Sequence, residues 1–295
     1  MSEPRLVETA DPEEVFTALA DGTRMAILHA LWEAEEGTAS FSELREAVGM
    51  RDSGQFNYHL DKLRDRFVRK TDDGYRLTLA GMQVKGAVFA GAYTMEGSVE
   101  PFELDEPCPA CGGVRTFHYE DERVEITCGD CGFSDQAGIA PGVFVGYDRE
   151  AFPDVAGRYF RTIVRRVDDG FCWVCDGRIE PTIQAAGETD DDAEASGPDL
   201  ANLPVVRFDC GRCGESVVVD LGVVFLDHPA VVSFLYERGV DVREESFWTF
   251  SARNTDRASF RSRDPVRAGV TYSTDGDALT LVVDGDLAVV DIEGP

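Results

Sequence analysis

The sequence predicts an α+β protein of several domains: a mostly helical N-terminal part with a β-hairpin, two cysteine-rich modules, and a C-terminal antiparallel α+β meander. Three observations support this prediction. Helix-start signals and a hairpin signal occupy the first third of the chain, all eight cysteines form Cys-x-x-Cys pairs in the middle, and short apolar runs alternate with Asp-Gly turns at the end. A chain of 295 residues is long enough for two or three domains.

The composition is strongly acidic. The formal net charge is -28, with 56 acidic and 28 basic residues, and the lysines are Lys62, Lys70 and Lys85. Such a lysine-poor composition is typical of halophilic proteins, which work in molar salt, where a Debye length of about 3 Å screens self-repulsion. The alternative interpretation is an ordinary acidic protein that repels polyanions.

The sequence gives no sign of a membrane or secretory segment. Residues 1–10 are polar and acidic, unlike a signal peptide, and the longest apolar stretch, Gly86 to Tyr93, is too short to span a bilayer. We therefore expect a cytoplasmic protein without a membrane partner, in a compartment where thiols stay reduced. That expectation argues against disulfides.

The N-terminal segment begins with two predicted helices. Asp11 is a helix cap, Pro12 occupies the first helical position, and Glu14 follows three residues after the cap. A second helix follows residues 21–23, which read Asp-Gly-Thr, and its apolar side chains recur at helical spacing.

A helix-turn-helix is predicted next. Ser40 and Glu43 form a capping box that opens a short helix, and Gly49 ends it. Asp52 opens a further helix that runs to about Phe67. Two short helices joined by a tight turn are typical of a helix-turn-helix.

A hairpin and a last helix complete this domain. The segments Val68 to Thr71 and Tyr75 to Leu79 flank Asp-Asp-Gly at 72–74, which is a strong hairpin signal. A helix from about Ala80 to Met95 follows, with an apolar side suited to packing against a second copy. The sequence thus predicts a winged helix-turn-helix DNA-binding domain over residues 10–96.

Two segments of this domain resemble ArsR-type regulators. Residues 20–28, ADGTRMAIL, are similar to the Asp-x-Thr-Arg-x-x-Ile-Leu signature of that family, and residues 55–63, QFNYHLDKL, resemble its recognition helix. The metal-sensing cysteines of the family are absent from residues 41–48. The resemblance implies a homodimeric transcription regulator that binds double-stranded DNA sequence-specifically.

The residue types in this region suit DNA. The N-terminal half of a recognition helix lies in the major groove, where Gln and Asn amides match the adenine edge, and cationic side chains contact phosphates. The segment 51–76 has seven basic and five acidic residues, 7 − 5 = +2, in a chain of -28. Candidate base contacts are Ser53, Gln55, Asn57 and Tyr58, and candidate phosphate contacts are Arg51, Lys62, Arg64, Arg69, Lys70 and Arg76. Alternatively, Asn57 and Tyr58 only cover a solvated helix, and His59 packs in the core.

The cysteines form two sets of four. The first set is Cys108, Cys111, Cys128 and Cys131, and the second is Cys172, Cys175, Cys210 and Cys213. Two Cys-x-x-Cys pairs on facing hairpins hold one tetrahedral ion, and each set resembles a zinc ribbon, so we expect two structural zinc ions per chain. Iron, as in rubredoxin-like sites, and redox disulfides within each pair are the alternatives.

The modules divide the middle of the chain. The first zinc ribbon is predicted over residues 97–147 and the second over 171–226, with an acidic disordered insert at 187–199. Between them, residues 148–170 contain an amphipathic connecting helix, from Arg149 to Val167.

The C-terminal α+β domain is predicted over residues 227–295. Val217 to Phe225 before it is a predicted buried strand, and Pro229 starts a helix that Gly239 ends. Five strands follow: Ser246 to Ser251, Ala258 to Arg263, Val266 to Ser273, Ala278 to Asp284 and Asp286 to Ile292. The arrangement of the whole chain is similar to that of a group of haloarchaeal regulators.

A cluster of arginines stands out in this domain. Residues 253–267 contain five arginines and two aspartates, a local net charge of 5 − 2 = +3. Arg257, Arg261 and Arg263 are candidates for an anion site that takes DNA phosphate or an anionic effector. Alternatively, these arginines only pair with the acidic surface around them.

The leading hypothesis is a sequence-specific transcription regulator, in which a dimeric winged helix binds DNA and the C-terminal part takes an effector or a protein partner. One alternative is a protein-interaction adaptor of the transcription machinery with a degenerate winged helix, and another is a rubredoxin-like electron carrier. We expect no enzyme, since the sequence offers no Ser/His/Asp grouping, phosphate-binding glycine loop or spare thiol.

Overall fold

The computed structural model describes residues 10–108, 111–132, 134–188, 202–248 and 258–294. Within these ranges the chain is α+β, with four separate antiparallel sheets. It divides into two compact units, unit 1 (Met1–Met95) and unit 2 (Glu96–Pro295). None of the helices in the described ranges is long and apolar enough to cross a bilayer.

Unit 1 is helical with one hairpin. Its elements are α1 (Pro12–Leu19), α2 (Gly22–Glu33), a 3-10 turn (Glu35–Gly37), α3 (Phe41–Ala47), α4 (Ser53–Leu63), β1 (Val68–Thr71), β2 (Gly74–Leu77) and α5 (Leu79–Ala90). Three caps lie where the sequence predicted them, at Asp11, Ser40 and Asp52, whereas the second helix starts earlier than predicted, at Gly22, with Asp21 as its cap. The side chains of Asp11, Asp21, Ser40 and Asp52 accept hydrogen bonds from backbone N–H groups in the first turns of α1 to α4.

The core of unit 1 lies between its helices. Ile27 and Leu28 of α2 pack with Phe56 and Leu60 of α4, and all four side chains are fully buried. Phe41 of α3 meets the Phe56 ring edge-on at 4.9 Å. This burial fixes the inner face of α4 and leaves its other face to solvent.

Three predicted boundaries in unit 1 were too long. The α4 helix ends at Leu63 rather than near Phe67, because Arg64 is extended and Asp65 is left-handed (φ 68°). The strand predicted to Leu79 ends at Leu77, because the Thr78 side chain caps α5. The last helix ends at Ala90 rather than Met95, because Gly91 adopts φ 78° and closes the C-terminus.

Unit 2 contains three sheets, with helices between their strands, in the described ranges. Its elements are β3 (Val99–Glu103), β4 (Arg115–Glu120), β5 (Arg123–Cys128), β6 (Ser134–Gly138), α6 (Phe152–Asp168), β7 (Ile179–Ala185), β8 (Pro204–Cys210), β9 (Ser216–Asp220), α7 (Leu221–Val224), α8 (Pro229–Tyr236), β10 (Ser259–Arg263), β11 (Val266–Thr274), β12 (Asp277–Asp284) and β13 (Val289–Glu293). The sheets run β3-β4-β5-β6, β7-β8-β9 and β10-β11-β12-β13.

Two strand predictions in unit 2 need correction. The strand predicted from Val217 to Phe225 ends at Asp220, and the apolar run continues as α7 and a 3-10 turn, Phe225–Asp227. A continuous apolar run does not distinguish a buried strand from a buried helix. In the strand predicted from Ser246 to Ser251, Phe247 and Trp248 are helical, and residues 249–251 lie outside the described ranges.

The structure also contains two strands and a 3-10 turn that the sequence did not predict. Strands β3 and β6 flank the predicted hairpin of the first cysteine module on both sides and were not predicted. Residues 187–188 of the predicted insert belong to a 3-10 turn, Ala186–Glu188, and residues 189–199 lie outside the described ranges.

One hydrophobic core joins the segments of unit 2. It contains Phe117 of β4, Val164 of α6, Val206 of β8 and Val270 of β11, together with Trp248. The Trp248 indole N–H donates to the carbonyl of Pro153 in α6 at 2.7 Å. The four sequence segments that we delimited within residues 97–295 thus contribute to a shared core.

Ionisable side chains lie inside this unit. Arg115 is fully buried and donates to the carbonyls of Glu106 (3.2 Å) and Trp248 (3.1 Å). The Oδ2 atom of Asp135 is buried and has no hydrogen-bond partner among the described residues. Burial raises the pKa of Asp135 to about 7, with a further rise from the charge of Asp220 and an opposing effect of Arg115. Burial also raises the pKa of Asp220 to about 6.

Asp135→Asn should therefore stabilise unit 2 increasingly as the pH rises. In the unfolded chain the Asp135 pKa is about 4, so between pH 4 and 7 the folded state holds more protons and wild-type stability falls with rising pH. We expect the gain in the free energy of unfolding from Asp135→Asn to grow by about 2–3 kcal/mol between pH 5 and 7.5. Urea unfolding of the metal-loaded chain at both pH values measures it.

Asp148→Asn serves as the control, because Asp148 is exposed and caps no helix through its side chain. That variant should follow the wild-type profile. A gain from Asp135→Asn that is equal at both pH values would show that its carboxyl titrates normally.

Candidate metal centres and nucleic-acid interface

The structure brings each predicted set of four cysteines together. In each set the four sulfurs lie within 4.8 Å of one another. In the first set the Sγ–Sγ distances are 3.7 Å for Cys108 and Cys131 and 3.6 Å for Cys111 and Cys128. In the second set they are 3.7 Å for Cys172 and Cys213 and 3.5 Å for Cys175 and Cys210.

These distances fit a shared metal ion. Four sulfurs at about 2.3 Å from a tetrahedral centre lie roughly 3.8 Å apart, whereas a disulfide brings two sulfurs to about 2.05 Å. Each cluster can therefore bind one metal ion, and zinc fits the four-sulfur donor set. A closed site of four protein ligands leaves no open position for a substrate.

The turns that carry the Cys-x-x-Cys pairs, here called knuckles, share a backbone hydrogen bond. The N–H of Cys108 donates to the carbonyl of Gly113 at 2.7 Å, and the N–H of Cys172 donates to the carbonyl of Gly177 at 2.8 Å. The N–H of Cys210 likewise donates to the carbonyl of the residue five positions later, at 2.9 Å. This turn carries both cysteines of a pair on one side of the backbone.

Backbone amides also point at the sulfurs. The N–H groups of Val174 and Arg212 donate to the sulfurs of Cys172 and Cys210 at 3.4 Å each. Hydrogen bonds from the N–H groups of Cys213 and Arg212 lower the pKa of Cys210 to about 6. Since the thiolate is the metal ligand, this environment prepares the site for a cation.

The residue after each pair adopts the left-handed conformation. Gly112, Gly132 and Gly214 have φ between 73° and 80°, a conformation that glycine adopts without steric cost. The third knuckle differs, because Asp176 has φ 57° there and the glycine comes one residue later. At that position, Gly177, a side chain would collide: a Cβ atom would lie 3.0 Å from the sulfurs of both Cys175 and Cys210.

The two centres connect to the core differently. Cys172 and Cys210 belong to the hydrophobic cluster of unit 2, whereas Cys111 and Cys131 of the first set are exposed. His118 does not join the first cluster: its Nε2 lies 3.9 Å from the carboxylate of Glu120 on the same strand. The second centre therefore supports the packing of unit 2 directly.

The predicted nucleic-acid interface lies in unit 1. Phe56, His59, Leu60 and Leu63 form the buried face of α4. His59 points inward, with Nδ1 3.3 Å from a carboxylate oxygen of Asp21. This position agrees with the alternative that His59 packs in the core. The ten candidate contacts are all exposed: Arg51, Ser53, Gln55, Asn57, Tyr58, Lys62, Arg64, Arg69, Lys70 and Arg76.

An aspartate occupies part of this surface. Asn57 donates its amide N–H to Asp61 at 2.7 Å, and Arg64 donates to the other oxygen of Asp61 at 2.9 Å. The ammonium group of Lys62 lies 5.7 Å from the centre of the Tyr58 ring. We did not single out Asp61 from the sequence, although its spacing of four from Asn57 places both on one helix face.

The remaining basic side chains of this region form no salt bridge to a carboxylate among the described residues. Of the seven in residues 51–76, only Arg64 forms a salt bridge to a described residue. The unpaired ones are Arg51, Lys62, Arg66, Arg69, Lys70 and Arg76. Arg66 was not among our candidates, but it is exposed and belongs to the same set.

The C-terminal arginines are placed differently. Arg261 lies 3.4 Å from a carboxylate oxygen of Glu293, and Arg263 lies 3.5 Å from one of Glu188. Arg257 lies outside the described ranges. Both described guanidiniums therefore already have a carboxylate neighbour, and the anion site stays a prediction.

We expect Gly177→Ala to impair the second metal centre. The added methyl group overpacks the space between two sulfurs, at a cost of about 1–3 kcal/mol, which corresponds to roughly a tenfold or larger loss of zinc affinity at that site. Elemental analysis should find two zinc ions per wild-type chain, and competition with a chelator should remove one of them more readily from the variant.

Gly211→Ala is the matched control in the same module, because a Cβ there meets no atom within 4 Å. It should retain the wild-type metal content. Equal metal retention by both variants would contradict the packing argument, and a red iron absorbance of the purified chain would contradict zinc.

Comparisons with known protein families agree with the division into two units. One model, described as domain of unknown function DUF7347, matches residues 12–88 within unit 1. A second, described as domain of unknown function DUF7351, matches residues 105–289, which include all eight cysteines. Neither the curated proteins nor the solved structures gave a match. Since the second model covers more than half of the chain, the chain belongs to the DUF7351 family.

Proposed function

We propose that this chain is a sequence-specific DNA-binding transcription regulator of the ArsR type. In this proposal residues 10–96 form a dimeric winged helix-turn-helix whose helix α4 enters the major groove. The observation that carries the proposal is the set of six unpaired basic side chains on and around α4 and the hairpin, in a chain of net charge -28.

The order of elements in unit 1 supports this proposal. Helices α3 and α4 are joined by a turn that contains left-handed Gly49, and the hairpin β1–β2 follows α4 directly. A recognition helix followed by a two-stranded wing has this order. The buried face of α4 leaves Gln55 and Asn57 exposed for contacts with base edges.

Salt bridges are scarcer on this surface than in unit 2. In unit 2 most described arginines have a carboxylate neighbour; Arg161 and Arg165 both bind Asp227, and Arg238 binds Asp277 at 2.9 Å. Near α4, Arg64 is paired with Asp61, but Arg51, Arg66, Arg69 and Arg76 form no salt bridge to a described carboxylate. Phosphate groups of DNA would supply the anions, and each contact would release counterions.

Asp61 adds a restraint on this binding. It holds the Asn57 amide away from a base and adds a negative charge to the face that would meet the duplex. DNA docking would require Asn57 to exchange its bond to Asp61 for bonds to a base edge. This exchange disfavours binding to DNA sequences that offer Asn57 no matching base edge.

Apolar side chains at the surface of unit 1 support a homodimer. Leu79, Met82 and Phe89 of α5 are 68%, 43% and 47% exposed, and Trp32 of α2 is 46% exposed next to Phe89, with ring centres 5.8 Å apart. Contiguous exposed apolar groups of this kind mark interaction surfaces. A second copy would cover Phe89 and the side of Trp32 that adjoins it, and would leave Leu79 and Met82 accessible.

The proposal gives unit 2 a supporting part. Two structural zinc ions would hold its cysteine knuckles, and its sheets would take an effector or a protein partner. We further propose that the protein works in a salt-rich cytoplasm, where its acidity maintains solubility. Screening in such a medium weakens phosphate contacts, so hydrogen bonds from α4 must carry more of the affinity.

Mapping the protein on its own chromosome, followed by footprinting, should yield operator fragments. Gln55→Ala combined with Asn57→Ala should lower the affinity for an operator by about thirtyfold or more, because each of the two lost base contacts removes about 1–3 kcal/mol of discrimination. Affinity for unrelated DNA should change little, because phosphate contacts remain. Fluorescence anisotropy with labelled fragments measures both.

Gln83→Ala is the control, because Gln83 is an exposed amide on α5, away from α4 in the sequence. It should leave the preference for the operator unchanged. The regulator proposal fails if the metal-loaded wild type binds no promoter fragment in potassium chloride, an outcome that the adaptor alternative predicts.

Asp61→Asn should strengthen DNA binding. The change removes a negative charge from the docking face and releases Arg64, so we expect a gain of about threefold to tenfold at low salt that shrinks as salt rises. Asp148→Asn makes the same change of net charge in unit 2 and should have no such effect. Weaker binding by Asp61→Asn would instead mean that Asp61 orients Asn57 for base contact.

A further inference from the structure

Unit 1 contains a cleft that the proposed DNA contacts do not require. It has a volume of about 540 Å³ and lies between α2, the hairpin and the start of α5. Leu31, Trp32, Leu77, Leu79 and Met82 form its apolar lining. The volume falls in the range of roughly 300–1,000 Å³ that is usual for sites of small molecules.

Two arginines give this apolar cleft a charge. Among the described residues that line it, Arg69 and Arg76 are the charged ones. They face each other directly across the hairpin, in the register Arg69↔Arg76. Opposed side chains of an antiparallel pair have Cβ atoms about 5 Å apart, where like charges destabilise the pair.

Neither of these two arginines is paired with a carboxylate of the described protein. Neither guanidinium forms a salt bridge to a described carboxylate, although the chain has twice as many acidic as basic residues. A carboxylate placed between them would accept hydrogen bonds from both, in the geometry that guanidinium groups favour.

The apolar lining favours a ligand that has an apolar part of its own. Trp32, Leu79 and Met82 are between 43% and 68% exposed, so large apolar surfaces face water beside the two arginines. A ligand with an apolar body would cover these surfaces while its head group neutralises the guanidiniums.

We propose that this cleft binds an amphipathic carboxylate of the medium-chain fatty acid type. Its carboxylate lies between Arg69 and Arg76, and its apolar chain lies against Trp32, Leu79 and Met82. The binding itself does not depend on a role in DNA recognition. The consequence for regulation rests on the proposed function: because the same two arginines are proposed phosphate contacts, the ligand and DNA compete for them.

Titration calorimetry with decanoate on the full, metal-loaded chain tests the site. We expect saturable binding at one site per chain. Decanol, which lacks the charge, should bind at least about tenfold more weakly, because it loses the charge-assisted hydrogen bonds. Decyltrimethylammonium, which carries the opposite charge, should show no saturable binding.

Arg69→Gln combined with Arg76→Gln should lower decanoate affinity by about tenfold or more and leave decanol unchanged. Both positions are exposed, so the fold should tolerate the change. Arg51→Gln combined with Arg66→Gln is the matched control: it removes two unpaired charges from the same region that do not line the cleft. Met82→Ser should weaken both decanoate and decanol.

Three outcomes would overturn the site: no saturable binding of decanoate, binding that survives the Arg69 and Arg76 changes, or an equal loss in the control pair. A cleft already filled by a second copy would give the first of these. Displacement of bound operator by decanoate supports the regulatory consequence. Decanoate binding by a chain that ignores all DNA would retain the site and reject the proposed function.

Discussion

The convergence of four thiolates at two points is the constraint on which unit 2 depends. Each cluster joins parts of the chain that are far apart in sequence, and Cys172 and Cys210 are at the same time members of the hydrophobic core. Metal coordination at this cluster and hydrophobic packing would therefore constrain the same stretch of backbone. The backbone N–H groups of the local turns donate hydrogen bonds to the sulfurs. These hydrogen bonds stabilise thiolates that lie close together.

Charge is distributed unevenly over this acidic protein. The arginines of unit 2 are mostly committed to carboxylates, as in the pairs formed by Arg161, Arg165 and Arg238. On the exposed face of α4 and on the hairpin, the cations other than Arg64 form no salt bridge to a carboxylate in the part of the chain that the structure describes. Surface pairs contribute little to stability, so this difference matters for what the surface attracts rather than for folding.

Local signals in the sequence predicted local structure well. The caps at Asp11, Ser40 and Asp52, the Asp-Asp-Gly hairpin and the cysteine spacing each depend on a few neighbouring residues, and the structure places them as expected. The errors arose where tertiary contacts decide. The apolar run after Asp220 became a helix because it is buried on every side, and β3 and β6 pair with a hairpin whose edges the sequence does not mark. The bond between Asn57 and Asp61 is a choice of rotamer, which no residue pattern specifies.

The positions of the three tryptophans make the two units optically separable. Trp32 is half exposed in unit 1, Trp173 lies in a knuckle of the second metal centre, and Trp248 is sealed inside unit 2 with its indole bonded to Pro153. Emission from Trp248 should be blue and resistant to collisional quenchers, whereas Trp32 should emit at longer wavelength and be quenched readily. Time-resolved fluorescence of the unmodified protein can thus follow each unit in turn without any added dye.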